Sequence, residues 1–152
     1  MHLGSNGLQP AGAWELAALS SAPSLHTLNL DLRNNGLGDE GAQALARLQT
    51  APEMRTLRLY LQKNNLGPAG AQALASLKDC PALRHLRLYC SGNKVGPAGA
   101  QALVTLAEAP ALQILWLDLR NAHLGDAGAC ALAGLGGGPP LHTPHLGPGH
   151  KW

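Results

Sequence analysis

The sequence is poor in aromatic and charged residues. It contains no phenylalanine, aromatic residues make up 3% of it, and charged residues make up 13%. Because 45% of the residues are nevertheless hydrophobic, the core must consist mainly of leucine and alanine. A formal net charge of +2 gives no electrostatic footprint for nucleic acid or an anionic membrane, so neither is expected as a partner.

Long apolar runs and paired cysteines are also absent. No stretch approaches the ~18 consecutive apolar residues of a membrane-spanning helix. The first residues lack the basic segment and unbroken apolar run of a signal peptide. Cys80, Cys90 and Cys130 are odd in number and share no short metal-binding spacing. We interpret them as reduced thiols of a cytoplasmic protein, in preference to a disulfide or a metal site.

Catalytic motifs are missing as well. The sequence has no phosphate-binding loop of the G-x-x-x-x-G-K-[ST] type, no H-E-x-x-H and no G-x-S-x-G. His142, His145 and His150 lie in a segment rich in glycine and proline, without a carboxylate or cysteine nearby, so we expect no metal there. The sequence therefore predicts neither an enzyme nor a cofactor.

What the sequence does contain is a repeat of 29 residues. The stretch LGPAGAQALA at residue 66 returns as VGPAGAQALV at 95 and as LGDEGAQALA at 37. Units start at residues 25, 54, 83 and 112, after a partial unit at 1–24. Three columns keep this register through the chain: glycines (Gly12, Gly41, Gly70, Gly99, Gly128), leucines (Leu16, Leu45, Leu74, Leu103, Leu132) and prolines (Pro23, Pro52, Pro81, Pro110, Pro139). A fixed period of this length indicates a solenoid.

Each unit changes periodicity halfway. Segments such as LHTLNLDL alternate apolar and polar residues, which predicts strands at 28–32, 57–61, 86–90 and 115–119. Segments such as GPAGAQALASL have helical spacing, which predicts helices that begin near Pro10, Asp39, Pro68, Pro97 and Asp126. The Gly70–Ala71 step lets the helix approach the strand layer closely. The units are thus expected to share one core.

The pattern L-x-x-L-x-L, a later N-x-L and then G-A-x-A-L-A resembles the leucine-rich repeat, in its ribonuclease-inhibitor-like variety. The resemblance covers residues 1–140. It implies an α/β fold: a right-handed, curved solenoid with parallel strands on the concave face and helices on the convex face. It also implies that the asparagine column (Asn35, Asn64, Asn93) satisfies backbone groups in the turns.

This sequence departs from the family pattern at several places. An extra alternating pair before Asn64 predicts a longer strand with one more inward residue (Leu32, Leu61, Cys90, Leu119). Ala122 replaces asparagine in the last full unit, which puts the geometry of that turn in question. Residues 141–152 are expected to be a degenerate partial repeat or a flexible tail. Pro144 there limits its segment to an edge strand or to no strand.

The ends and the helix surface lead to further expectations. Because polar capping units are missing, either the chain is a segment of a longer protein or its ends are covered by a partner or another copy. Trp14 stands in the outward column of the first helix, and we expect it to fold over the open N-terminal end. Cys130 occupies the same column and is expected to be exposed.

Variation between units is concentrated on the outward strand positions. Adjacent parallel strands lie ~4.8 Å apart, so Arg58, Tyr60, Arg87 and Tyr89 should form one block. Tyrosine, tryptophan and arginine are enriched in binding hot spots, although such side chains also stack merely to cover a sheet. The predicted partner-binding residues are Asn29, Asp31, Arg58, Tyr60, Arg87, Tyr89, Trp116, Asp118 and Arg120.

The resemblance implies a non-catalytic protein–protein interaction module within a larger intracellular sensor or adaptor. Its partner would be a protein or peptide, acidic or phosphorylated, on the concave face. Asp31 and Asp118 on the outer strands should repel an acidic ligand that slips sideways. Two alternatives stay open: a regulator resembling the Ran GTPase-activating type of repeat protein, and a structural segment that associates end to end with its own copies.

Overall fold

The structure, a computed structural model, describes residues 1–133 and 144–146. Strands and helices alternate along the chain, and a single 3₁₀ turn follows each of the first four helices. The helices are α1 (Gln9–Ala17), α2 (Gly38–Ala46), α3 (Pro68–Ala75), α4 (Gly96–Val104) and α5 (Gly125–Ala133). The strands are β1 (Thr27–Asp31), β2 (Thr56–Tyr60), β3 (His85–Tyr89), β4 (Ile114–Asp118) and β5 (Pro144–Leu146).

The strands form one parallel sheet in the order β1-β2-β3-β4-β5. Each residue pairs with the residue one repeat further on, so Leu28 pairs with Leu57 and Leu57 with Leu86. The predicted α/β solenoid, in which parallel strands alternate with helices, is confirmed. The four predicted strands each begin and end one residue earlier than expected. The additional inward residues Leu32, Leu61, Cys90 and Leu119 are nevertheless buried, as predicted.

Helices pack in a second layer through their small residues. Gly70, Ala71, Leu74 and Leu77 are all buried, and the strand and helix leucines belong to one hydrophobic core. At Gly99, a Cβ atom would come within 3.0 Å of the Ala71 Cβ in the preceding helix and within 2.6 Å of a Val95 methyl. The recurring glycine is therefore a requirement of close helix packing.

The turns after the strands are bridged by the asparagine column. The buried Asn64 donates from its side-chain nitrogen to the Leu32 carbonyl at 2.8 Å, and its own N–H donates to the Asn93 side-chain oxygen at 2.9 Å. The last turn keeps the same backbone form without this side chain. Ala122 is buried, its carbonyl accepts the Gly96 N–H at 3.0 Å, and Asn121 has φ +53°, close to the +54° of Asn34.

The remaining expectations concern the C-terminal segment, membrane spans and metal sites. β5 is the last strand of the sheet, with Pro144 opposite Leu115, so the proline lies on an edge strand. His142, His150 and Trp152 lie outside the described residues. No helix of the described part is long and apolar enough to cross a membrane. Residues 1–133 also contain no group of three or more histidine, cysteine or acidic side chains that could hold a metal ion.

Candidate functional site

The open sheet face, formed by the outward-pointing side chains of β1 to β4, carries the predicted partner-binding residues. The register places Asn29, Arg58, Arg87 and Trp116 in one row across the strands. It places Asp31, Tyr60, Tyr89 and Asp118 in the next row. Both rows follow directly from the repeat, because residues in the same position of successive units become neighbours in a parallel sheet. The predicted adjacency is confirmed, whereas a binding role for these residues stays a prediction.

The centre of this face is a contiguous aromatic and cationic cluster, called the central block here: Arg58, Tyr60, Arg87, Tyr89 and Trp116. The rings of Tyr60 and Tyr89 stack at 4.6 Å with an interplanar angle of 4°. Trp116 lies 6.4 Å from Tyr89 at a tilt of 37°, and the Arg87 guanidinium lies 5.9 Å from the Trp116 ring centroid. These residues are half-buried, so part of each side chain faces solvent on a preformed surface.

The acidic residues on either side differ from the expectation. Asp31 and Asp118 are buried rather than free carboxylates at the surface. Arg33 binds Asp31 with its Nε at 2.8 Å from Oδ1 and its Nη2 at 2.6 Å from Oδ2. Arg120 binds Asp118 in the same bidentate way, at 2.8 and 2.6 Å. Residues two apart on a strand point to the same face, so each arginine reaches back over its own aspartate.

This pairing removes the predicted repulsion. Hydrogen bonds from the Arg33 side chain lower the pKa of Asp31, against the opposing effect of burial. Hydrogen bonds to the carboxylates raise the pKa of Arg33 and of Arg120. Both aspartates thus belong to ion pairs that are close to neutral in sum. The expectation that Asp31 and Asp118 repel an acidic ligand is wrong. The Arg120 guanidinium is already bound to Asp118, so it is not a free cation for a partner.

The sequence analysis missed Thr56 and His85 at the start of β2 and β3, and the exposed Arg55 and Arg84 just before these strands. The ladder extends to the residues before β2 and β3, since the Arg84 N–H donates to the Arg55 carbonyl at 2.9 Å. Arg55 and Arg84 are exposed, and Thr56 and His85 are paired in the sheet and half-buried. The repeat spacing contained this signal, because Arg55 and Arg84 stand in one column.

Two buried side-chain atoms, one in β2 and one just after it, lack a hydrogen-bond partner. The Arg58 Nε is buried without a hydrogen-bond acceptor, and the Gln62 Oε1 is buried without a donor. A buried donor without a partner costs free energy, which a ligand acceptor would recover. Because the Arg58 Nε is itself buried, an acceptor reaches it only if neighbouring side chains move.

The other residues that the sequence analysis singled out are Trp14 and the three cysteines. Trp14 is 43% exposed and lies against Arg47 of the next unit, with the guanidinium carbon 5.4 Å from the ring centroid. It does not fold over the N-terminal end as expected, because its position on the helix directs it toward the neighbouring helix. Cys130 is exposed, as predicted, while Cys80 and Cys90 are buried.

Comparison with known families finds a match for three of the repeats. Residues 24–46, 53–75 and 80–104 match the family model described as Leucine Rich repeat. The three matched segments coincide with three consecutive units that each contain one strand and one helix. No curated protein matches the chain.

Proposed function

Because the chain carries leucine-rich repeats folded as a parallel α/β solenoid, we propose that it binds an acidic segment of a protein partner on the open sheet face. Leucine-rich repeats are commonly protein–protein interaction modules and generally non-catalytic. The role fits the recognition part of an intracellular sensor or adaptor. The open sheet face corresponds to the concave face that the family implies.

The observation that carries this proposal is the composition of the central block. Arg58 and Arg87 are adjacent in the sheet, and the Tyr60–Tyr89 stack lies beside them. Guanidinium groups bind carboxylates through two parallel hydrogen bonds, and aromatic edges provide apolar walls for the rest of the segment. Since Asp31 and Asp118 are paired with arginines, the positive charge of the block is not cancelled by them.

The size of the surface limits the affinity. Four strands with about three outward residues each provide roughly a dozen contacts, against the ~20–30 residues per side of a standard interface. We therefore expect a short extended segment as the ligand, and a moderate affinity that decreases with added salt.

A capture experiment tests the proposal. Partners are captured with the wild-type protein and with the Arg58→Ala, Arg87→Ala double variant, and affinities are then measured by calorimetry. Truncation of such anchors commonly costs at least ~2 kcal/mol of binding free energy. An Arg47→Ala, Lys78→Ala variant, which removes two positive charges from the helix side, is the matched control. Equal capture by both double variants and the wild type, unaffected by salt, would place the binding surface elsewhere.

A further inference from the structure

The end of the solenoid at α1 exposes hydrophobic side chains that every later unit buries. Five leucines there are half-buried, whereas the residues one repeat further on are 0% exposed. Gly12 is half-buried too, although the glycines of its column in all later units are buried. The later residues are buried because a preceding unit lies against them. We call this end the leading face; it consists of Asn6, Gly12, Leu3, Leu8, Leu16, Leu19 and Leu25.

The leading face also carries the first member of the asparagine column. Asn6 stands one repeat before Asn35, whose side-chain nitrogen donates to the Leu3 carbonyl of the preceding unit at 2.8 Å. In the same way, the Asn64 Oδ1 accepts the N–H groups of Asn35 and Leu37 in the preceding turn. The exposed Asn6 side chain forms no hydrogen bond with a described residue. It therefore lacks the preceding turn that its column bridges to elsewhere.

The opposite end, at α5, lacks the complementary groups. Ala122 and Leu124 are buried, yet their backbone N–H groups have no acceptor within residues 1–133 and 144–146. They correspond to Asn35 and Leu37, whose N–H groups donate to the Asn64 side chain. A buried N–H without an acceptor is unfavourable. The two groups thus indicate that the asparagine of a following unit is missing.

Two side chains of α5 belong to the same end. Ala129 is half-buried, whereas the alanines of its column in the earlier units are buried, and Asp126 is exposed. Their counterparts Asp39 and Ala42 face Gly70 of the next unit. A Cβ atom at Gly70 would lie 2.6 Å from the Asp39 Oδ1 and 3.3 Å from the Ala42 Cβ. We call Ala122, Leu124, Asp126 and Ala129 the trailing face.

We propose that the chain associates head to tail with a second copy of itself, the trailing face of one copy docking on the leading face of the other. The argument for this occupant is continuity with the interface between units, since each group left open on one face is one that the other face supplies. The inference does not rest on the proposed function, because the open sheet face takes no part in the contact.

The contacts between units predict the contacts between copies. Gly12 of one copy lies against Asp126 and Ala129 of the other, in the arrangement that their counterparts show within the chain. The Asn6 side chain accepts the two N–H groups of the trailing face that have no acceptor. The leucines of the leading face are covered by α5, as the corresponding residues of later units are covered by the helix before them.

The edge of the sheet has room for this contact. β5 pairs with β4 only as far as Leu117. Leu146 of β5 holds the same position of the repeat as Met1, so the docked copy continues the sheet from the point where β5 ends. Lys151 holds the position of Asn6 in the chain's own sequence, but a lysine side chain has no acceptor. A second copy therefore satisfies two N–H groups that the chain itself does not.

The two faces differ from each other, so the contact is heterologous. A dimer keeps one free face of each kind and adds further copies, which gives a series of oligomers instead of a closed pair. Sedimentation equilibrium of the full chain tests this expectation. We expect an average mass that rises with concentration beyond that of a dimer. A wild type that remains monomeric up to its solubility limit overturns the inference.

Single substitutions test each face separately. Asn6→Lys places a charge in the leading face, and Ala129→Lys places one in the trailing face. Each should weaken association about tenfold or more, because the ammonium group would be buried in the contact. Ala11→Lys and Ala127→Lys are the matched controls, since they add the same charge to α1 and α5 in a column that is exposed in all five units. Circular dichroism checks that all four variants fold.

A mixture of the two face variants distinguishes the head-to-tail contact from other arrangements. The Asn6→Lys copy keeps an intact trailing face, and the Ala129→Lys copy keeps an intact leading face. Each alone should be monomeric at concentrations at which the mixture forms a dimer and nothing larger. Association of Ala129→Lys with itself as strongly as the wild type overturns the inference, because it would mean contact between two leading faces. A mixture that stays monomeric, or control variants that associate as weakly as the face variants, overturns it as well.

Discussion

The side-chain oxygen of Asn64 accepts the backbone N–H of Asn35 at 2.9 Å, across one full repeat of 29 residues. The same oxygen accepts the Leu37 N–H at 3.4 Å, and the Asn64 amide nitrogen donates to the carbonyls of Leu32 and Gln62. One amide thus satisfies groups in two neighbouring turns. Since Asn93 makes the equivalent bonds to Asn64 and Leu66, the units are connected by a continuous ladder.

Replacement of Asn64 by alanine should destabilise the whole solenoid. The buried N–H groups of Asn35 and Leu37 and the Leu32 carbonyl would lose their partner, at a cost of about 1–3 kcal/mol. Urea denaturation followed by circular dichroism measures the loss. Asn35→Ala, whose bonds to residues 3–8 are only partly buried, should cost less. An unchanged midpoint for Asn64→Ala would show that the ladder does not stabilise the fold.

Introduction of asparagine at position 122 should extend the ladder by one unit. Ala122 is buried in the asparagine column, and its turn has the same backbone form as the others. The new amide oxygen would accept from the N–H groups of Asn93 and Val95, with a gain of about 1 kcal/mol. Ala122→Leu is the matched control, because it adds volume without an acceptor and should destabilise. The idea fails if both variants lose stability to the same extent in urea.

Asp39 should act as a helix cap that crosses between units. Its Oδ1 accepts the backbone N–H groups of Gly67 and Gly70, at 2.7 and 2.9 Å, at the start of α3. Asp39→Ala should therefore cost about 0.5–2 kcal/mol of unfolding free energy. Asp126 has the same place in α5 but makes no such contact in the described residues, so Asp126→Ala should cost clearly less. Thermal denaturation of the two variants compares them, and equal losses would argue against a cap.

The Asp31–Arg33 pair should make stability depend on pH under acidic conditions. The pKa of Asp31 is lowered in the folded protein, so its contribution is complete above the unfolded value near ~3.9 and is lost as the pH falls through the folded value. Asp31→Asn should have a lower urea midpoint than the wild type at pH 7, and the difference should shrink toward pH 2. A difference that stays constant over this range would contradict a stabilising carboxylate.

The cysteines should differ in reactivity toward alkylating reagents. Burial raises the pKa of the Cys90 thiol to about 12 and raises that of Cys80 as well, whereas Cys130 is exposed. At pH 8, iodoacetamide should therefore modify Cys130 in the folded protein and all three cysteines in urea. Mass spectrometry of peptides identifies the modified sites. Rapid modification of Cys90 in the folded protein would show that its buried position beneath the sheet opens to solvent.

Much of the architecture was determined by the sequence alone. The repeat places Arg58 opposite Arg87 and Tyr60 opposite Tyr89, because equal positions in successive units must become neighbours when the strands are parallel. It also predicts the buried asparagine column and the small residues of the helix contact. These features are local patterns repeated at a constant interval, so a single unit contains nearly all the information for the stack.

Other features depend on the tertiary structure. Alternation along a strand shows that Asp31 and Asp118 point outward, but not that Arg33 and Arg120 fold back over them. The predicted strands end one residue further along the chain than the observed strands. The reason is that Asn34, with φ +54°, already turns the chain just beyond Leu32. Trp14 contacts Arg47, which the sequence does not predict. The Arg58 Nε is left without a hydrogen-bond partner only because the neighbouring side chains pack around it. Which partner a side chain contacts depends on its rotamer and on its burial. Both are determined only when the units pack together.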